Sequence, residues 1–183
     1  MDAEDRFRRL FATAYPALRR YALNRGISDG DADDLVSEVL TIAWRRLDDV
    51  PLDDALPWLY AVAANVHRNR RRSSRRYGLM LSRMPVEAAA DPHADRRYGA
   101  GDIRKAFDRL SPRDQELLRL VAWDGLTPEQ AARATGCTPA TFRVRLHRAR
   151  TRLAGALDRQ VMNSTERTVT SNYEEKPNGP ART

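Results

Sequence analysis

Arg143, Val144, His147 and Arg148 recur at helical spacing between Pro139 and Leu153 and combine fixed charge, a ring nitrogen and a small apolar group. Those types suit base-pair edges in the major groove of a duplex, where a guanidinium pairs with guanine and an apolar side chain meets the thymine methyl. Arg145 and Arg152 flank the row at angles suited to phosphate oxygens. Phe142, Leu146, Ala149 and Leu153 fall on the opposite side, which must therefore be buried. A solvated arginine face on an ordinary bundle helix is the competing interpretation of such a charge run.

The residues just upstream favour nucleic acid. Thr127 can cap a short helix, Pro128 suits its first position, and Gln130 completes a capping-box pattern. Gly136 can supply the positive φ of a tight turn, and the small Ala132 one turn earlier lets two helices approach closely. Thr138 and Pro139 then start the second helix, and Thr138 joins the candidate contacts. Leu126 to Leu153 thus reads as a helix-turn-helix. The single cysteine, Cys137, sits in its turn as a small, partly buried residue rather than a redox or metal site, and the three histidines are scattered. No cofactor is expected.

Charge repeats the message elsewhere. A net charge of +7 and a pI near 10.1 imply a polyanionic partner. Six arginines and no acid lie between Asn65 and Arg76, and five arginines and no acid between Ala140 and Leu153, whereas the first fifty residues carry a slight acidic excess. Two basic surfaces imply two nucleic-acid contacts.

The elements that must carry these surfaces all show helical periodicity, so the expected fold is all-α. From about Asp5 to Arg25, Phe7, Leu10, Phe11, Ala14, Leu18 and Ala22 form a core stripe, with Pro16 as a candidate kink and Gly26 as a stop. Asp31 to Leu47 begins with acids and ends with Arg45 and Arg46, the order favoured by the helix dipole. Leu35, Val36, Val39, Ala43 and Leu47 make its buried stripe, leaving Asp34, Ser37, Glu38 and Thr41 on a polar face whose default interpretation is solvation. A third helix runs from about Asp54 or Ala55 to Arg72, with Trp58 and Tyr60 on the same helix as its arginines. Trp58 reads more readily as core, but a ring beside a basic groove can also stack an unpaired base at roughly 1–3 kcal/mol.

Periodicity then lapses from Ser73 to Gly101, a stretch longer than the roughly 15 residues usual for a loop inside a compact domain, so it reads as a flexible linker. The expected organisation is a first helical domain over 1–72, a linker over 73–101, a second helical domain over 102–159 containing the helix-turn-helix, and a disordered tail over 160–183. In the second domain Ile103, Ala106, Phe107 and Leu110 mark one helix, and Ser111 and Pro112 start another with Leu117, Leu118, Val121 and Trp123 inward. A hydrophobic content of 42% supports such cores, while no apolar run approaches the roughly 18 residues of a membrane span. The opening MDAEDRFRRL lacks the apolar centre of a signal peptide, so a cytoplasmic location is expected.

Three motifs in this order resemble the extracytoplasmic-function (ECF) group of bacterial RNA polymerase sigma factors, over nearly all of residues 5–158. They are DADDLVSEVLTIAWRRL, then WLYAVAAN with its basic run, then LSPRDQELLRLVAWDGLTPEQAARATGCTPATFRVRLHRAR. The resemblance implies that the Asp31–Leu47 helix docks on the clamp helices of the largest polymerase subunit through Asp34, Ser37, Glu38, Thr41 and Arg45. It implies that Asn65 lies beside a pocket for a flipped base of the promoter −10 element, with His67, Arg68, Asn69, Arg71 and Trp58 nearby. Arg143, Val144, His147 and Arg148, aided by Arg145 and Thr138, would read the −35 duplex. An anti-sigma partner is a further implication, with core polymerase and promoter DNA as the working partners. The sequence departs from the family pattern at Ser37, usually glutamine, at Leu40, often aromatic, and at Gln130, Ala131 and Ala132, which replace Glu-Ile-Ala.

A free-standing helix-turn-helix regulator would use the second domain alone and leave the basic third helix without a task. An enzyme is disfavoured by the lack of clustered acids, metal-ligand spacing or a glycine-rich phosphate loop.

Overall fold

The computed structural model describes residues 2–76 and 100–174, with side chains for 2–73, 101–160 and 162. Every regular element among the described residues is a helix. They are α1 (Ala3–Leu23), α2 (Asp29–Arg45), α3 (Ala55–Arg76), α4 (Ala100–Asp108), α5 (Pro112–Ala122), α6 (Pro128–Thr135) and α7 (Pro139–Glu174), with short 3-10 turns at Leu47–Asp49 and Leu52–Asp54.

Local chemistry sets the ends. Ser28 caps α2 by accepting from the Asp31 amide, Ser111 caps α5 by accepting from the Asp114 amide, and Asp29 and Asp31 sit at the positive end of α2. The start of α2 at Asp29, two residues ahead of the sequence expectation, follows from that cap. Pro16 does not interrupt α1. Between Pro57 and Gly78 the sequence has neither glycine nor proline, and α3 accordingly runs past Arg72 to Arg76. The same reasoning applies to α7. No breaker stands between Ala156 and Pro177, and the helix continues to Glu174 through most of the stretch expected to be disordered. The rest of that tail and residues 77–99 of the expected linker lie outside the described residues.

α1, α2 and α3 pack pairwise around Leu18, Tyr21, Leu35, Val36, Val39, Leu59 and Tyr60, with Tyr21 and Tyr60 stacked at 4.8 Å between centroids. In the other half α4, α5 and α6 each pack on α7 around Phe107, Leu117, Leu120, Phe142 and Leu146. Phe11, placed by its spacing in the core stripe, is instead 45% exposed, because α2 covers the Leu10, Ala14 and Leu18 side of α1 and leaves the Phe11 edge beyond it. The two halves also touch: α6 lies against α3, and the buried apolar residues form one continuous cluster.

Candidate nucleic-acid interface

The turn between α6 and α7 fixes the direction of the second helix. Thr127 Oγ1 accepts from the Gln130 amide at 3.2 Å while Gln130 Oε1 accepts from the Thr127 amide at 3.0 Å, so the capping box is complete. Gly136 ends α6 at φ 65°, a conformation that strains any side-chain-bearing residue, and its amide returns to the Arg133 carbonyl. Thr138 Oγ1 accepts from the Thr141 amide at 3.2 Å and opens α7. Thr138 is thereby committed to capping as well as exposed to a ligand.

Burial of Phe142, Leu146 and Ala149 turns Val144, His147, Arg148 and Thr151 outward as one exposed strip. Val144 is 52% exposed, so an apolar contact is on offer at the N-terminal end of that strip. Arg143 lies on the edge nearest α6 and is hydrogen-bonded to Glu129 in the first turn of that helix.

The opposite edge of α7 borders an open groove of about 600 Å³ lined by Arg109, Arg113, Arg145, Arg148, Arg152 and Arg159. Its one acid, Asp114, is engaged by Arg152 at 2.9 and 3.1 Å and by the Ser111 hydroxyl at 2.9 Å. Arg152 therefore ties α7 to α5 as well as facing the groove. Guanidinium groups in such excess over carboxylate attract a phosphate-bearing polyanion. Arg109, Arg113 and Arg159 do not stand out in the sequence, where they are spread over three segments.

On α3 the exposed face gathers Asn65, Arg68 and Asn69, with half-buried Trp58 about two to three turns towards the N-terminus and the Arg46 guanidinium 5.7 Å from its ring centre. Arg71 is exposed on a flank. His67 does not join this face. It projects from the side that carries Tyr60 and Ala63, and burial together with the Arg71 charge holds its pKa below the ordinary histidine value. Helical phase already separates positions 65 and 67 by about 200°.

Asp34, Ser37, Glu38, Thr41 and Arg45 are all exposed along one side of α2. Glu38 is not idle: Arg70 of α3 bonds it at 3.0 and 2.7 Å and also reaches the Asp34 carbonyl at 3.1 Å. The Thr41 hydroxyl donates to the Ser37 carbonyl at 2.8 Å. Beside this row Trp44, 47% exposed, packs edge-on against Phe7, which adjoins Phe11, itself stacked on Tyr15, so the polar face has an aromatic border.

The chain matches the family model for Sigma-70 region 2 over residues 10–77 and that for Sigma-70, region 4 over residues 100–153. It is 31% identical over 166 residues to the ECF RNA polymerase sigma factor EcfG of Rhodopseudomonas palustris, covering 86% of this chain and 88% of that one. The chain belongs to the ECF RNA polymerase sigma factors. Among solved structures, this sigma factor resembles RpoE of Bartonella quintana, crystallised with the anti-sigma factor NepR, at a TM-score of 0.59 and 27% identity over 83% of this chain and 96% of that one. It also resembles CnrH in complex with the cytosolic domain of CnrY, at a TM-score of 0.57 and 26% identity over 83% and 87% of the two chains. Region 2 of this sigma factor comprises most of α1 with α2 and α3, and region 4 comprises α4 to α6 with the first four turns of α7. As expected of a family of transcription initiation factors, the matches indicate no enzyme family. No described helix of the sigma factor is long and apolar enough to cross a membrane.

Proposed function

We propose that this sigma factor brings core RNA polymerase to its promoters by reading the −35 element as duplex and the −10 element as unpaired bases. The observation that carries this reading is the placement of two exposed faces suited to nucleic acid on one chain, Val144–His147–Arg148 on α7 and Asn65–Arg68–Asn69 with Trp58 on α3, alongside a third, polar face on α2. On α7 the strip meets base edges while the arginine groove follows phosphates, which hold position without reading sequence. On α3 an amide side chain beside a tryptophan offers hydrogen bonds and a stacking surface to a base that has left the duplex. The row from Asp34 to Arg45 is assigned to the clamp helices of the largest polymerase subunit. The relatives crystallised with NepR and CnrY support an anti-sigma partner for this chain too.

Run-off transcription with core polymerase on genomic fragments, with and without the protein, tests the whole reading. Transcripts that depend on the protein are expected. Their absence, together with no binding to core polymerase, would leave a free-standing regulator as the better account. Asn65→Ala should leave duplex binding intact and reduce permanganate-reactive thymines at the −10 element; undiminished reactivity removes Asn65 from the site. Replacing Arg113 and Arg159 with alanine should weaken binding on every duplex alike and lower the slope of log affinity against log salt by about 0.9 for each phosphate no longer neutralised. An unchanged slope in a salt titration assigns the groove to something other than DNA.

A further inference from the structure

Region 2 and region 4 are held together by charged groups taken out of water. Arg25, two residues past the end of α1, has a side chain only 5% exposed. Its guanidinium donates to both oxygens of Glu116 on α5 at 3.0 and 2.8 Å, to Asp124 after α5 at 2.8 Å, and to its own Tyr21 carbonyl at 2.9 Å. It also lies over the Tyr21 ring, 3.3 Å from the centroid. The Asp124 carboxylate is 0% exposed and accepts a second bond from Asn24 of the first half. A second, more exposed contact stands at the other end of the interface, where Gln130 of α6 donates to Asp54 at 2.9 Å and Arg133 bonds the same carboxylate.

This closed arrangement is incompatible with simultaneous use of both promoter elements. α6 touches α3 on one side and α7 on the other. With helix axes 8–10 Å apart, the two reading helices approach to about 20 Å. The −10 and −35 elements stand about 25 base pairs apart, which at about 3.4 Å per pair is about 85 Å of duplex. Residues 77–99 between the halves reach about 80 Å when fully extended. The extended linker falls short of that span by only about 5 Å, which the breadth of the two helical halves makes up, so the chain can serve both sites, but only after α3 and α6 have separated.

We propose that Arg25, Glu116 and Asp124 form a latch that keeps the free protein closed and that loading onto polymerase and promoter must open it; this rests on the promoter reading given above. Buried ions suit such a latch. Their attraction is offset by the cost of removing them from water, so opening, which hydrates all three at once, is far easier than burial alone suggests. Loss of one member while the latch is shut leaves an uncompensated charge, so the closed form tolerates one geometry only.

The test uses the full chain carrying Cys137→Ser, with spin labels on Arg9→Cys and Ala154→Cys, both exposed and outside every proposed contact. Electron-electron resonance should report one short separation for the free protein and a longer one in the polymerase–promoter complex. Arg25→Ala should lengthen the separation in the free protein and raise its apparent affinity for core polymerase on the order of tenfold, because less of the population is withheld in the closed form. Asp54→Lys, which opposes Arg133 at an exposed site, should shift both readouts the same way without disturbing a core, and circular dichroism checks that helix content is kept. A separation that stays short in a transcribing complex, or that neither substitution alters in the free protein, overturns the latch while leaving promoter recognition standing. Failure of the unsubstituted protein to bind core polymerase or support transcripts overturns both.

Discussion

Replacing Phe142 with alanine should cost about 3–5 kcal/mol of folding stability and abolish duplex binding. The ring is fully buried on the first turn of α7, and the residue's amide closes that turn on the Thr138 carbonyl at 2.9 Å. Around it α6 contributes only alanines to the core, Ala131, Ala132 and Ala134, so no long side chain from that helix can swing in to fill the space. The void would fall between the two helices whose mutual angle sets the orientation of Val144 and Arg148. Urea titration followed by circular dichroism measures the first effect, and fluorescence anisotropy on a labelled duplex in the absence of urea measures the second. A loss below about 1 kcal/mol would mean that α7 relaxes into the gap, in which case duplex binding should survive.

The second large effect concerns recognition itself. Arg143→Ala should lose about 1–3 kcal/mol, or about five- to 150-fold, on duplexes carrying the preferred base pair at one position, and little on duplexes altered there. The selectivity is the diagnostic. A panel of duplexes differing by single base pairs, titrated against both proteins, separates a base contact from a phosphate contact, which would weaken binding equally across the panel. Arg143 is exposed at the edge of α7, so its removal leaves the core intact and the change reads as the energy of the base contact net of the bond to Glu129 that it replaces.

Much of this architecture is legible in the residues because its causes are local. The capping box of Thr127 and Gln130, the left-handed Gly136 and the Ser111 cap each depend on neighbours within a few positions, and the inward row of Phe142, Leu146 and Ala149 follows from helical phase. The same phase, applied strictly, separates His67 from Asn65. What the sequence does not disclose is long-range. Arg25 pairs with carboxylates 91 and 99 positions away, and nothing in the local pattern distinguishes it from the arginines of α1 just before it. The aromatic border of α2 is hidden for a related reason: Phe7 and Phe11 share a helix face with core residues, and only the finite width of α2 leaves Phe11 and Trp44 uncovered. Likewise the groove at α7 assembles arginines from the α4–α5 turn, α5 and α7, a gathering that exists only after packing. The length of α7 is the opposite case, since the lack of a stop signal after Gln160 is plain in the sequence and outweighs its polar composition.

Glu129 gives the bond it makes with Arg143 a second meaning. Before any duplex arrives, that arginine already has a partner of its own. On the promoter reading proposed above, a passing encounter held by phosphates would engage the other edge of the helix and leave the pair undisturbed, and only a base edge with two well-placed acceptors would compete for the guanidinium. The carboxylate would then serve as an internal standard against which each base pair is compared. Travel along DNA and the decision to stop would be entrusted to different arginines, with a mismatched site rejected by a group that never touches it.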